Sequence, residues 1–261
     1  MKERVSKQRS HLVVKSNDII QKTRYSLSMQ QQKMLLYMIS KIKPTDTIST
    51  EYEMEINQFC EVSGMDMNNG YYYTTLKDDL KKMADASIWI RMPDGKERLF
   101  RWLNTIEINA GSGKIKYKFH EATEQYLYDL HSRYTKYELI NVLAFRSKYS
   151  IRLYELLKSY TNVGRVRFSL KEFKRLMDAE TYSRFVDLKR KVIEMATGEI
   201  NELSGDMRVE YAFFKEGRSM AAVEFYIEGV TRIDEIVTSN NRRKILNRQV
   251  RRNGKSWNDE Q

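Results

Sequence analysis

The sequence LKDDLKKMADASI at residues 76–88 occurs again, in altered form, as LKRKVIEMATGEI at residues 188–200. Both segments follow the pattern L-K-x-x-(L/V)-x-x-M-A-x-x-x-I, in which apolar residues recur at the spacing of a helix with one buried face. Two shorter echoes precede them in the same order, MLLYM at 34–38 with IRLYE at 151–155 and INQF at 56–59 with LKEF at 170–173. A repeat of this length indicates an internal duplication, and so two similar domains.

Each half predicts the element order of a winged helix, namely helix, strand, two helices and a hairpin. In the first half, Ser26 or Ser28 caps a helix that carries apolar residues as far as Ile42. The remaining elements of this half are predicted as strand 52–56, helices 57–62 and 71–86, and strands 88–92, 97–109 and 114–119. The elements of the second half are predicted as helix 143–160, strand 165–168, a helix capped by Ser169 that runs to Met177, helix 182–202, and a hairpin of 207–214 and 220–227. The predicted fold class is α+β, with two tandem winged-helix domains related by an internal duplication.

The hairpin that ends the first half contains GSGK at residues 111–114, a fragment of the phosphate-loop motif. The full motif needs glycine at position 108 and Ser or Thr at position 115, and both positions are isoleucine. The following KIKYKF alternates as a strand, whereas a phosphate loop opens a helix. We interpret GSGK as the turn of a wing. Alternation then directs Ile115, Tyr117 and Phe119 inward and Lys114, Lys116 and Lys118 outward, where the lysines either follow phosphates or form a solvated face.

The net charge of +11 is concentrated near the two ends of the chain. Residues 1–9 carry +3 and residues 242–255 carry +7, so the remainder is nearly neutral. Such segments either bind nucleic acid without sequence preference or keep the protein soluble. We expect a basic N-terminal tail at 1–11, the first domain at 12–134, the second domain at 135–230 and a basic C-terminal tail at 231–261.

Several function classes are disfavoured by composition. The single cysteine, Cys60, precludes an internal disulfide and suits a reducing cytoplasm, and no apolar run is long enough to span a membrane. The main enzymatic alternative, a nicking initiator, needs closely spaced histidines for its metal, whereas His11, His120 and His131 lie far apart. We therefore predict no catalytic site, no metal and no cofactor.

Several segments of the chain are similar to one protein family over roughly residues 12–228. They are SND at 16–18, YSLS at 25–28, MLLY at 34–37, YSIRLYE at 149–155, the stretch from Tyr182 to Asn201, and Gly217-Arg218. On these segments the chain resembles the RepE-like and RepB-like initiator Rep proteins, the replication initiators of iteron-containing theta-replicating plasmids. The segment RLYE, with EIN some 45 residues later, is fairly specific to that family.

The resemblance implies a function in plasmid replication in the bacterial cytoplasm. Members of the family bind directly repeated origin sequences in double-stranded DNA as monomers, promote origin opening, and recruit the host initiator and the replicative helicase. As homodimers in equilibrium with monomers, several also repress their own gene. The first domain supplies dimerisation and an auxiliary DNA contact, and the second supplies the main DNA contact. The alternative is a winged-helix transcriptional repressor that binds one operator as a dimer and has no initiator role.

Helical spacing assigns the faces of the predicted recognition helix in the second domain. Its buried stripe comprises Phe185, Leu188, Val192, Met195 and Ala196. Its outward basic residues are Arg184, Arg190 and Lys191, with Lys189 at the edge. Arg190 is the predicted contact to a base edge, because arginine pairs bidentately with guanine and because the resembled family has a basic cluster at this turn.

Three further residues complete the predicted DNA-binding set. Arg218, beside the wing turn, is a predicted phosphate contact. Lys148 and Arg152, at the start of the long helix, are weaker candidates, and Arg152 is equally interpreted as a structural ion-pair residue.

The corresponding helix of the first domain has a different outward face. Its core face is predicted at Tyr73, Leu76, Leu80 and Met83, and its outward residues are predicted as Thr75, Asp78, Asp79, Lys82 and Asp85. Aspartates opposite phosphates are unfavourable, so this copy is expected to serve dimerisation more than DNA contact.

Overall fold

The structure of the protein, a computed structural model, describes residues 11–64, 70–109 and 112–254. Of residues 70–73, 232–234 and 247–254 it describes the backbone alone. The predicted N-terminal tail therefore lies outside the described residues except for His11. Gly111 of the GSGK turn and the side chain of Tyr73 also lie outside them.

The first half mixes short helices with short antiparallel strands. Its elements are β1 (Leu12–Ser16), α1 (Asn17–Gln21), β2 (Thr23–Arg24), α2 (Met29–Ile39), β3 (Tyr52–Glu55), α3 (Ile56–Ser63), α4 (Gly70–Asp85), β4 (Ser87–Arg91), β5 (Glu97–Arg101), β6 (Leu103–Asn109), β7 (Lys114–Phe119), a 3₁₀ turn (Glu121–Thr123), α5 (Glu124–Leu127) and β8 (Tyr134–Glu138).

The second half begins after β8. Its elements are α6 (Ile140–Leu143), α7 (Lys148–Lys158), β9 (Arg165–Ser169), α8 (Leu170–Leu176), the composite helix α9 (Phe185–Leu188, a π-helical turn Lys189–Glu194, and Met195–Leu203), β10 (Arg208–Glu216), β11 (Ser219–Glu228) and α10 (Arg232–Gly254).

The two halves repeat one arrangement. In the first, α2, β3, α3, α4 and the hairpin β6–β7 follow the same order as α7, β9, α8, α9 and β10–β11 in the second. Each hairpin joins the preceding short strand in a three-stranded antiparallel sheet, β3-β7-β6 and β9-β11-β10. Phe59 and Phe173, at matching positions of α3 and α8, are fully buried. The two predicted winged-helix domains are confirmed.

Hydroxyl side chains define where several helices begin. Ser28 and Gln31 form a reciprocal capping box at α2, and Ser169 Oγ accepts from Glu172 N at α8 (3.2 Å). At α7 the cap is Ser147, whose Oγ accepts from Tyr149 N (3.1 Å). The predicted helix 143–160 therefore begins later than expected, at Lys148, and is preceded by the separate α6.

The prediction of one strand over residues 97–109 is wrong. Trp102 interrupts it, because its fully buried side chain packs edge-on against Tyr25 with ring centroids 5.7 Å apart. The segment before Trp102, β5, belongs to the sheet β2-β4-β5, and the segment after it, β6, belongs to the wing sheet. The sheet β2-β4-β5 is an addition to the winged-helix order that recurs in both halves.

Buried polar contacts connect the two halves. Lys15 of β1 forms an ion pair with Glu155 of α7, and Tyr137 of β8 donates to Glu155 Oε1 at 2.5 Å. All three side chains are buried, and burial lowers the pKa of Lys15. Buried charges are tolerated when they are paired and hydrogen-bonded, as they are here.

Candidate nucleic-acid interface

Helix α9 has the amphipathic face that its sequence predicts. Leu188, Val192 and Ala196 are fully buried as predicted, whereas Met195 is only half-buried and Ile193, which was not predicted in the stripe, is fully buried. The half-buried Phe185 packs edge-on against Phe213 of β10, with ring centroids 5.0 Å apart. This contact ties the start of the helix to the wing of the same domain.

A π-helical turn in the middle of α9 changes which side chains are neighbours. Lys189 Nζ lies 3.3 Å from Glu194 Oε1, although the two residues are five positions apart. In a π-helix, hydrogen bonds run from i to i+5, so residues at that spacing share a face. A regular α-helix brings together residues three or four positions apart, so its period does not predict the contact between Lys189 and Glu194.

The predicted outward cations of α9 are exposed. Arg184 Nε lies 3.7 Å from Asp187 Oδ2, and Lys191 Nζ lies 3.3 Å from Asp187 Oδ1. Arg190 is exposed and, within the described part of the chain, has no ion pair or hydrogen bond to another side chain. Arg190 is thus the cation of this face that is available to a ligand without first leaving a carboxylate.

The wing of the second domain places Arg218 at its tip. β10 and β11 pair in an antiparallel register that ends at Glu216 and Ser219, and Gly217 occupies the turn with a positive φ of 59°. Glycine adopts this left-handed conformation without the strain that a side chain adds. Arg218 is exposed beside it, and its contact with a DNA phosphate stays a prediction.

Arg152 is not part of the exposed surface formed by α9 and the wing. The prediction that it contacts DNA is therefore wrong. Arg152 is only 4% exposed, and its guanidinium donates to Leu176 O (3.0 Å), Ile20 O (2.8 Å) and Thr23 O (2.9 Å). The alternative interpretation, a structural residue, is the one that the structure supports, with backbone carbonyls in place of an ion pair.

Lys148 is half-buried and engaged within the protein. Its Nζ lies 3.0 Å from Asp178 Oδ2, which also accepts from Ser26 Oγ at 2.8 Å. A DNA phosphate would have to compete with this carboxylate. Lys148 stays a weaker predicted contact than Arg190 or Arg218.

Arg165, a cation next to the wing, was not among the DNA-binding residues predicted from the sequence. Arg165 of β9 is exposed, and the adjacent outward residue Arg167 forms two hydrogen bonds with Glu224 (3.2 and 3.3 Å) and stacks over Phe214. The alternation of RVRFS was the available signal, since it directs both arginines to one face of the strand.

The first domain presents a charge-balanced counterpart. On α4, Leu76, Leu80 and Met83 are buried and Asp78, Lys82 and Asp85 are exposed, as predicted. Thr75 and Asp79, also predicted to face outward, are half-buried, and Asp79 Oδ1 accepts from Gln31 Nε2 at 2.9 Å. On β7, Ile115, Tyr117 and Phe119 are buried as predicted. The outward lysines face acidic residues of the first half, with distances Lys114–Glu53 2.9 Å, Lys116–Glu51 3.6 Å and Lys118–Glu51 3.9 Å. These pairs favour the solvated-face interpretation of the wing lysines.

The basic segment at the C-terminal end is partly built into the fold. Residues 232–254 form α10, whose Thr238 and Leu246 are buried, so α10 packs against the rest of the chain at these positions. Arg242 donates to Asn141 Oδ1 and Leu203 O, and burial lowers its pKa. A Cβ at Gly205 would lie 2.5 Å from Arg242 Nη1, so a larger residue there would displace this guanidinium. Arg243 and Lys244 are exposed, whereas the basic side chains beyond them lie outside the described residues.

No arrangement for metal chemistry is present among residues 11–64, 70–109 and 112–254. His120 Nδ1 accepts from Ala122 N at 3.1 Å, and His131 lies beside Asp129 on the surface. Cys60 is buried, which raises its pKa to about 12 and leaves the thiol protonated.

Among the described residues, no helix is long and apolar enough to cross a membrane.

Comparison with known proteins gives consistent matches. The family described as "Initiator Replication protein, WH1" matches residues 12–158, and "Initiator Rep protein, WH2" matches residues 169–227. A replication initiation protein of Escherichia coli is 27% identical over 256 residues, and the match covers 94% of this chain and 77% of that protein. The crystal structure of Pi initiator protein in complex with iteron DNA superposes with a TM-score of 0.69 at 19% identity, over 86% of this chain and 99% of that chain. Neither family match extends into α10.

Proposed function

The chain belongs to the initiator replication protein family, and on that premise we propose that it binds direct repeats of a plasmid origin in double-stranded DNA. The observation that carries the proposal is the placement of Arg190, which has no ion pair in the described part of the chain, on α9 and of Arg218 at the wing tip of the same domain. A winged helix inserts its second compact helix into the major groove while the wing lies along the backbone. The similar Pi initiator protein was solved in complex with iteron DNA.

We further propose that binding promotes origin opening, that the protein recruits the host initiator and the replicative helicase, and that a dimeric form represses its own gene in the bacterial cytoplasm. The domain limits of 12–134 and 135–230, with DNA contact mainly in the second, stay predictions. The alternative remains a winged-helix repressor without an initiator role. It differs in stoichiometry, because a repressor loads one dimer on one operator and an initiator loads one monomer on each tandem repeat.

Purified protein is expected to shift a duplex with several direct repeats as a ladder, one step per repeat. Repeats of about two helical turns, or roughly 20 base pairs, match the spacing of helix-in-groove proteins. A duplex with shuffled repeats is the control. Supercoiled plasmid should stay unnicked with magnesium or manganese, and a covalent protein–DNA adduct would contradict the proposal of a non-catalytic initiator.

The β4–β5 hairpin of the first domain supports the proposal of a dimer. Strand β5 has a sheet partner on one side alone in the described chain, since the sheet order is β2-β4-β5. Trp89 and Leu99 lie directly opposite each other on its outer face and are 36% and 49% exposed. An unpaired edge with apolar residues is a site where another strand adds.

The sequence of β5 is self-complementary about Leu99. Antiparallel pairing with a second copy, centred on Leu99, places Glu97 of each strand opposite Arg101 of the other. A two-fold interface requires such complementarity of a surface with itself. We propose that this edge is the dimer contact.

Reversing one charge of this edge is expected to weaken the dimer. Glu97→Arg creates two repulsive Arg–Arg contacts across the two-fold axis, and cross-strand pairs contribute about 0.2–1 kcal/mol each, so we expect about a tenfold higher dimer dissociation constant. The double variant Glu97→Arg with Arg101→Glu restores both pairs and should recover the wild-type constant. Sedimentation equilibrium measures both. Equal constants for all three proteins would exclude β5 from the interface.

A further inference from the structure

Two carboxylates on α9 hold three of the four cations on its exposed face. Asp187 contacts Arg184 and Lys191 at 3.7 and 3.3 Å, and Glu194 contacts Lys189 at 3.3 Å. Arg190 is the remaining cation. The face that is proposed to enter DNA therefore carries four positive and two negative charges. The two carboxylates are placed so that three of the four cations already have an acidic partner.

Asp187 is the centre of this arrangement. It lies in the first turn of α9, where a negative charge is stabilised by the helix dipole, and it is three and four residues from its two partners, the spacings at which helical side chains meet. Its side chain is 25% exposed, whereas those of Arg184 and Lys191 are 76% and 50% exposed. The carboxylate is thus held against the helix, and the two longer cations fold back onto it.

Random DNA and a cognate repeat are expected to affect the contacts of Asp187 with Arg184 and Lys191 differently. A random duplex offers mainly phosphates, so Arg184 and Lys191 must leave Asp187, and the carboxylate then faces a polyanion. In the major groove of a cognate site, a carboxylate can accept a hydrogen bond from the amino group of cytosine, and it keeps its two cations directed toward base edges. The repulsion between the Asp187 carboxylate and DNA therefore weakens the complex with random DNA more than the complex with the cognate repeat.

We propose that Asp187 is a specificity-determining residue that suppresses binding to random DNA and so widens the gap between cognate and random sequences. The proposal rests on the proposed function, since it requires that α9 enters the DNA. Specificity is a difference between two affinities, and a repulsive element against the wrong target increases it as effectively as an attractive contact to the right one.

The test compares Asp187→Asn with Glu121→Gln, which removes one exposed negative charge in the first half. Asp187→Asn is expected to raise the affinity for random duplex by about tenfold and to steepen its log–log salt slope by about one to two units, as Arg184 and Lys191 become free to contact phosphate. Affinity for the cognate repeat should stay level or fall, so the ratio of cognate to random affinity drops about tenfold. Glu121→Gln should change both affinities by the same small factor.

Asp187→Glu separates this role from a structural one. It keeps the charge within reach of both cations and should retain most of the discrimination, while thermal unfolding of all three variants should match wild type. If Asp187→Asn raised cognate and random affinities equally, or no more than Glu121→Gln does, the proposal would be wrong. If wild type itself did not distinguish the repeat from random DNA, the proposed function would fail instead, so the two failures are distinguishable.

Discussion

Replacement of Arg152 by methionine is expected to destabilise the protein by about 3–5 kcal/mol, the largest effect of a single substitution considered for this chain. The substitution keeps the apolar stem and removes a buried guanidinium that donates to Leu176 O, Ile20 O and Thr23 O. These carbonyls would stay buried without their donor, and an unsatisfied buried acceptor costs about 1–3 kcal/mol. Urea unfolding measures the change as a lower midpoint at unchanged slope.

Arg24→Met is the matched control for Arg152→Met. Arg24 lies in β2 beside the carbonyl of Thr23, but its ion pair with Glu180 spans 3.4 Å between side chains that are 39% and 50% exposed. Exposed pairs of this kind contribute about 0–1 kcal/mol, so this variant should unfold near the wild-type midpoint. Under conditions in which the Arg152→Met variant is folded, it should bind DNA with wild-type sequence preference. Unchanged stability together with lost base discrimination would return Arg152 to the DNA-binding set.

Arg190→Ala is expected to weaken binding to the cognate repeat by about 1–3 kcal/mol and to relax discrimination at one base pair of the repeat. Arg190 is exposed on α9, away from the buried Leu188, Val192 and Ala196, so its removal leaves the core intact. A bidentate contact to guanine is lost as a unit, because alanine offers no donor. Titration against the cognate repeat and a set of single-base variants identifies the affected position.

Arg218→Ala is the matched comparison, since it removes the same charge from the wing tip of the same domain. A phosphate contact carries no base information, so cognate and random duplex should weaken by similar factors, and the salt slope should fall by about one unit. If Arg190→Ala left every base preference unchanged, α9 would not present this face to the bases. If Arg218→Ala altered a base preference, the wing would be more than a backbone contact.

Local signals in the sequence predicted most of the fold. The duplicated segment 188–200 lies within α9, whereas 76–88 begins in α4 and ends in β4, and the apolar positions Leu80 and Val192 that the two segments share are both buried. Hydroxyl residues at Ser28 and Ser169 cap helices as predicted. Such features follow from hydrogen bonding and periodicity within a few residues, so they are visible without the rest of the chain.

The charged side chains were less predictable, because their roles depend on residues far away in sequence. Arg152 has the helical position of a surface candidate, yet carbonyls of β2 and α1, about 130 residues earlier, surround it. Likewise, the lysines of β7 alternate outward as predicted, but Glu51 and Glu53 near β3 determine that they are already paired. Long-range contacts of this kind leave no periodic pattern in the sequence.

The sequence alone thus determined the duplication, the winged-helix order and the outward face of α9, since each follows from spacing along one segment. The tertiary structure decided which cations have partners from distant parts of the chain: it buries Arg152 against carbonyls of α1 and β2, and it pairs the lysines of β7 with Glu51 and Glu53. The ion pairs within α9 follow instead from local spacing and from the π-helical turn, and in the described part of the chain they leave Arg190 unpaired. The physical reason is that the charge a side chain offers to DNA depends on the distance to its nearest carboxylate, and only a folded backbone sets that distance.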